Sequence, residues 1–495
     1  MVFNSYEFLI FFPIVVSIYF ICPKKIRYIW LLVASYYFYM SWNPKYAMLI
    51  GASTIITYFS GILIEKYPDR IKYKKCVVAV SFISNLSILV FFKYFDFLLR
   101  NINAVLNVIN MDNISKPFDV LLPVGISFYT FQALGYTVDV YRKDISAEHN
   151  ILKYALFVSF FPQLVAGPIE RSKNLLRQIN DVPLKGILDY KRITNGLIIM
   201  LWGMFQKMVI ADRIAILVNQ VFDSYYMYGS VILCLGAVGF AVQIFCDFSS
   251  YSTIAIGAAQ VMGFTLMENF DAPYFSKSIK EFWRRWHISL STWFRDYLYI
   301  PLGGSRCTKL RKNINLMVTF LVSGLWHGAS YNFVAWGGIH GIYQIIGEGT
   351  KPLRNTVYGK LKVNTECFSW KLGQGIITFV FVDFAWIFFR CDSLSQTAGY
   401  IRRLFSRPDF WVFFDGSFYT LGLSRQEWNV LLFSLLVLVL VELAQYITNK
   451  RVDILLSGQN IWFRWGIIFV LLFCIYAFGI YGPNVTAETF IYFQF

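Results

Sequence analysis

Long apolar runs separated by short basic connections decide most of what this chain can become. Residues 428–447 and 461–481 each have the roughly 17–25-residue length that crosses a bilayer as a helix. Apolar residues make up 57% of the 495 and charged residues 15%, against about 45–50% and about 25% in a soluble chain. With 49 Phe, 32 Tyr and 14 Trp, the apolar surface exceeds what a water-soluble core can hide. Lipid must be part of the solvent, and the chain reads as a polytopic membrane protein.

The charge balance supports that reading. There are 45 Lys and Arg against 29 Asp and Glu, a net +16. In a soluble protein such an excess points to nucleic acid. Here the cations cluster in short stretches between apolar runs, as orientation signals do, and no nucleic-acid partner is expected. The eight cysteines form no CxxC pair and read as small buried hydrophobes, neither a disulfide framework nor a metal site. The first apolar run lacks a basic leader and a small-residue cleavage site, so no cleavable signal peptide is expected.

The first four spans fall at residues 8–22, 26–42, 45–64 and 76–99. Lys24, Lys25 and Arg27 follow the first, and Lys66, Arg70, Lys72, Lys74 and Lys75 follow the third, while Asn43 and Pro44 carry no charge between them. The positive-inside rule then puts the first and third connections in the cytoplasm and the N-terminus outside. Lys450 and Arg451 place the connection between the last two spans inside. A span at 372–389 runs outward, which makes 390–426 an external loop. Within that loop, Arg402, Arg403 and Arg407 lie among Tyr400, Ile401, Leu404 and Phe405, as in a surface-lying helix.

The middle of the chain is less regular. The brief apolar stretch 152–166 has basic residues on both flanks and contains Pro162, with Gly167-Pro168 just beyond. A segment that enters and leaves on one side must bury its irregular backbone in protein or line a cavity, so a re-entrant element is expected. The span 193–219 carries Lys207, Asp212 and Arg213, each costing about 2.5–3.5 kcal/mol at a lipid-facing helix centre, so they must face protein or water. No repeat, low-complexity tract or soluble domain is apparent.

Residues 277–306, with Lys309, Arg311 and Lys312, hold nine basic and two acidic residues. On a helix, Trp283, Trp286, Leu290, Trp293 and Tyr297 would form an aromatic stripe, with Arg284, Arg285, Ser289 and Arg295 opposite. Such a segment is either an interfacial anchor or a cytoplasmic rim holding an anionic donor, because Arg pairs bidentately with phosphates. The apolar helix 313–325 then ends at Trp326-His327-Gly328. At about 1.5 Å per residue His327 lies about 21 Å in, past the midplane of a roughly 30 Å core. An ionisable residue at that depth is a functional candidate, although a neutral histidine bridging two helices fits the same position. His340 is a weaker candidate, and His149 reads as solvated. No G-x-S-x-G elbow, H-E-x-x-H pair or Walker A loop is present. A lone deep histidine suits general acid/base work or nucleophilic acyl carriage.

Several motifs resemble one family in combination. Trp283-Arg-Arg-Trp-His287-Ile-Ser, Trp293-Phe-Arg-Asp-Tyr297, Pro301-Leu-Gly-Gly-Ser-Arg306 and Ser323-Gly-Leu-Trp-His327-Gly are similar to the membrane-bound O-acyltransferase (MBOAT) family. Within it they resemble the bacterial branch of the alginate O-acetyltransferase membrane subunit. Supporting stretches are 123–132, Asp139-Val-Tyr-Arg142, Gly167-Pro-Ile-Glu-Arg171 and the terminal 490–495. The chain departs from the family pattern at Ser250 and Thr253, where Gly and Asp are usual, and keeps Asp247.

The resemblance implies an all-α single membrane domain over 1–495, with N-terminal helices to 120, a core with re-entrant elements over 121–350, and C-terminal helices after it. About 11–12 transmembrane or re-entrant helices would ring a thin waist crossed by a tunnel. His327 corresponds to the catalytic histidine and His287 to a second one on the cytoplasmic side. Trp283, Arg284, Arg285, Arg295, Asp296 and Trp326 are the implied donor contacts. No permanent cofactor or metal is implied; the donor would be acetyl-CoA or another cytosolic acyl thioester. An extracytoplasmic partner resembling SGNH hydrolases would pass the acetyl group to a polysaccharide outside a bacterial cytoplasmic membrane. Two rivals stand beside this: D-alanyl transfer to teichoic acid by the same fold, and a transporter or flippase without chemistry.

Overall fold

The computed structural model describes residues 1–116, 122–165, 167–182, 188–481 and 490–491. Among these, every regular element is helical. Seven helices are long and apolar enough to cross a membrane: α3 (Tyr46–Lys66), α4 (Ile71–Val108), α9 (Tyr190–Asp223), α10 (Ser230–Val261), α16 (Phe368–Arg390), α18 (Arg425–Thr448) and α20 (Ile461–Phe478). The chain is therefore a multi-pass membrane protein. Shorter helices complete the set expected from the apolar runs. Among them are α1 (Tyr6–Ile21), which contains Pro13, and α2 (Arg27–Met40), while the six-residue α19 (Val452–Ser457) lies between α18 and α20 in the chain. On α20 only Leu471 is buried, while Trp462, Phe463, Phe469 and Phe473 are exposed, the pattern of a helix facing lipid. The 32-residue α10 was not among the spans marked from the sequence; its apolar run carries Asp247 near its middle.

By internal contacts the chain divides into two compact units, 1–200 with 252–267, and 201–251 with 268–495. In the first unit, α3 packs against α4 and α5 (Ile126–Arg142), and α2 against α6 (Ile151–Ser159). The stretch expected to re-enter holds α6 followed by the four-residue α7 (Phe161–Leu164), broken at Phe160 and nearly all buried. Its irregular backbone is satisfied by side chains, as a break in apolar surroundings requires. Ser35 Oγ accepts from the Phe161 N–H at 3.1 Å, and Gln132 and Gln163 both donate to the Phe157 carbonyl, at 2.6 and 3.0 Å. Of this stretch, Ala166 lies outside the described residues. Just before α8 (Ser172–Asn180), Glu170 accepts from Asn174 Nδ2 at 2.8 Å and from the Met267 N–H.

In the second unit the charged residues of α9 face protein. Lys207 Nζ lies 2.7 Å from Asp212 and 2.6 Å from Asp247, all three buried. Asp247 also accepts from the Ile491 N–H at 2.7 Å, which fastens that segment to α10. Residues 492–495 of the terminal motif lie outside the described residues. Arg213 donates to the Val209 carbonyl at 2.9 Å and to the Phe478 carbonyl at 2.7 Å, closing the end of α20. The surface-lying helix expected around Arg402 forms as α17 (Leu394–Ser406). It turns Thr397 and Tyr400 inward, leaves Phe405 exposed, and Arg403 donates to the Tyr228 carbonyl.

Candidate active site

The basic segment does not form one helix. Ser278 caps α11 (Ile279–Arg285), the chain turns at His287 with φ +43° and ψ +54°, and α12 (Ile288–Phe294) follows. A left-handed non-glycine residue costs about 1–3 kcal/mol and persists only where its surroundings fix it. Here the Ile288 N–H donates to the Asn269 carbonyl at 3.0 Å and the Ser289 N–H to Asn269 Oδ1 at 3.2 Å. These bonds replace those that a continuous helix would make. The single aromatic stripe is corrected accordingly. Trp283, Trp286, Leu290 and Trp293 are all buried, but from two helices and the turn between them, and Ser289 is buried with them and shares no exposed face with the arginines.

His287 is fully buried, its ring edge-on to Phe248 with centroids 4.6 Å apart and 5.9 Å from Trp326. Burial pushes its imidazole down to about 3, so it is neutral at physiological pH. His327 ends α13 (Lys309–His327), is 3% exposed and is held between Trp326, Trp336 and Phe389, at 5.0, 5.0 and 5.3 Å. Trp326 thus touches both histidines.

Close approach of α13 and α14 (Tyr331–Gly349) makes this cluster possible. A Cβ on Gly324 would lie 2.2 Å from the Phe333 carbonyl oxygen, and one on Gly337 would lie 2.3 Å from that of Phe320. Only glycine lets the backbones meet there. His340, on α14, is fully buried and accepts from Trp283 Nε1–H at 3.3 Å. His149 is exposed and pairs with Glu65 at 2.8 Å, as its loop setting suggested.

A cavity of about 1450 Å³ opens beside these residues. Small-molecule pockets usually hold about 300–1,000 Å³, so it has room for a large ligand. Its wall carries Lys277, Lys280, Arg284, Arg295, Lys312, Lys351 and Arg354 against a single carboxylate, Glu348, which pairs with Lys312 at 2.6 Å. Trp283, Phe320 and Ser323 also line it, and Ser323 sits one helical turn before His327.

The donor contacts expected from the sequence separate into two sets. Trp283, Arg284 and Arg295 line the cavity. Arg285 does not: it is tied to Asp271 at 2.8 Å and Glu281 at 3.1 Å, and its guanidinium lies 5.1 Å over Tyr446. Asp296 pairs with Arg295 at 2.7 Å, and Trp326 lies against the histidines and not along the wall. Reading the sequence did not single out Lys351, Arg354 and Tyr358 of α15 (Lys351–Lys360), nor Phe248, Trp336 and Phe389 around the histidines. The first group was visible as a basic run; the aromatics carried no distinguishing signal within apolar spans. Among the described residues no cluster of His, Cys, Asp or Glu could hold a metal ion.

A family model described as MBOAT, membrane-bound O-acyltransferase family, matches residues 141–371, a span that includes both histidines and most of the cavity wall. The chain is 38% identical over 422 residues to a probable alginate O-acetylase AlgI of Pseudomonas syringae pv. tomato, covering 83% of this chain and 76% of that protein. It is 34% identical over 397 residues to a peptidoglycan O-acetyltransferase of Helicobacter pylori, covering 74% and 72%. A teichoic acid D-alanyltransferase of Bacillus subtilis is 28% identical over 244 residues, covering 46% and 59%.

Proposed function

The chain belongs to the membrane-bound O-acyltransferase family, and from that premise we propose that it carries acetyl groups from a cytosolic acyl thioester to a hydroxyl of an extracellular or cell-wall polysaccharide. It is an O-acyltransferase, and the relatives matched over most of the chain are named for O-acetylation of alginate and peptidoglycan. The D-alanyl reading has a named relative too, but one matched over less than half of this chain. A transporter without chemistry has none among these relatives.

The observation that carries the mechanism is the cationic cavity ending one helical turn from a buried histidine. Seven cations against one carboxylate suit a polyphosphorylated donor such as acetyl-CoA. Arg284 and Arg295 would hold its phosphates and leave the thioester to reach inward. His327 would take the proton from the acceptor hydroxyl as its oxygen bonds to the acetyl carbon and the carbon–sulfur bond breaks. The coenzyme then leaves as thiolate. His287, kept neutral and linked to His327 through Trp326, would orient the donor side. An SGNH-hydrolase-like partner outside the cytoplasmic membrane would complete delivery to the polymer.

His327→Ala should insert normally in the membrane yet abolish O-acetyl groups on the polymer, and transfer of label from acetyl-CoA should fall at least a thousandfold, as general base and proximity contributions combine. Persistent acetylation in that variant would remove the catalytic role.

A further inference from the structure

His327 does not line the cavity, although Ser323 of the same helix face does. Trp283 is joined to His327 through one further ring. Its indole forms part of the cavity wall, lies 5.3 Å from Phe320 and packs at 5.6 Å against Trp336. Trp336 in turn rests on His327 at 5.0 Å. A chain of ring contacts therefore leads from the cavity wall through Trp283 and Trp336 to His327.

The indole is fastened from behind. An indole N–H can only donate, so His340 Nδ1 accepts it and the imidazole proton sits on Nε2. That Nε2 has no hydrogen-bond partner among the described residues. The ring is enclosed by Phe282, Phe320, Trp336, Tyr343 and Trp386, with centroids 5.1–6.5 Å away. A phenylalanine would pack in such a cage without the desolvation cost of a buried imidazole. The polarity of His340 is directed at one contact, the Trp283 N–H.

We propose that Trp283 is a gate closing the inner end of the donor cavity and that His340 is the positioning residue that latches it shut. The inference rests on the reading of His327 as the acyl-transfer base. A closed gate keeps water from the thioester until the donor is seated, and release of the indole from His340 opens the way to His327.

The test reads access directly and needs no acyl donor. In His327→Cys, alkylation of position 327 by iodoacetamide is followed by peptide mass spectrometry, with Cys76 as internal rate standard, since it is exposed near the start of α4 and not buried as the sequence suggested for the cysteines. Alkylation should be slow relative to Cys76. It should become at least tenfold faster when Trp283→Ala or His340→Phe is added. Trp283→Phe keeps an aromatic ring in the wall while losing the N–H and the fused five-membered ring, and guards against misfolding of the larger changes; it should accelerate labelling several-fold. His340→Gln, whose amide oxygen can accept the indole N–H, should stay near the parent rate. Labelling as fast as Cys76 in the parent, or equal rates across the series, would overturn the gate. Faster labelling in the variants combined with acetylation that survives His327→Ala would sustain the gate and sink the acyl-transfer role.

Discussion

Neighbouring arginines 284 and 285 have different employment. Arg284 faces the cavity, while Arg285 is held between Asp271 and Glu281 beneath Tyr446. If the cavity takes the donor, Arg284→Ala and Arg295→Ala should each raise the KM for acetyl-CoA several-fold with little change in kcat, since they contribute charge-assisted contacts to phosphate. Arg285→Ala should leave KM unchanged and lower thermal stability only slightly, as partly exposed pairs contribute about 0–1 kcal/mol each. Steady-state kinetics and thermal denaturation in detergent separate the three. Composition and clustering singled out all three arginines, because a basic run is legible residue by residue. That Arg285 is tied to Asp271 is not legible, since Asp271 lies fourteen residues before it and meets it only through the fold.

At the scale of elements, the apolar runs foretold six of the seven spanning helices, because each must satisfy its own backbone in lipid, and missed α10. The break over 152–166 was legible for the same reason: proline and glycine interrupt an apolar stretch. The break at His287 was not legible. The apolar spacing from Trp283 to Tyr297 fits a helix, and Asn269 wins the local backbone through hydrogen bonds from a distant loop. The α13–α14 pair makes a prediction of its own. Gly324→Val should push the helices apart, because its Cβ would meet a backbone oxygen that cannot swing away. Overpacking of this kind costs about 1–3 kcal/mol, so the midpoint of thermal unfolding and acyl transfer should fall together. Gly338→Ala, whose Cβ would make an ordinary 3.6 Å contact with Leu321, should change neither.

On the scale of the whole molecule, sidedness is the property with the most consequence, because a donor and an acceptor in different compartments need opposite entrances. Cysteine placed at Lys45 should react with a membrane-impermeant maleimide in intact cells, and cysteine placed at Asp69 only after permeabilisation. The reverse pattern would invert the orientation drawn from the basic connections. That the protein is helical, crosses the membrane many times and belongs with acyltransferases was determined by the sequence alone. Those properties follow from apolar run length, the distribution of cations and short motifs, all of them local. Only tertiary structure decided that Lys207 is neutralised by Asp212 and Asp247, that the cavity is walled by cations from α11, α13, α15 and the segments beside α11 and α12, and that Trp283 and His340 meet at its wall. Those are pairings between residues tens to hundreds of positions apart, and no periodicity in a chain records which of its buried side chains will meet.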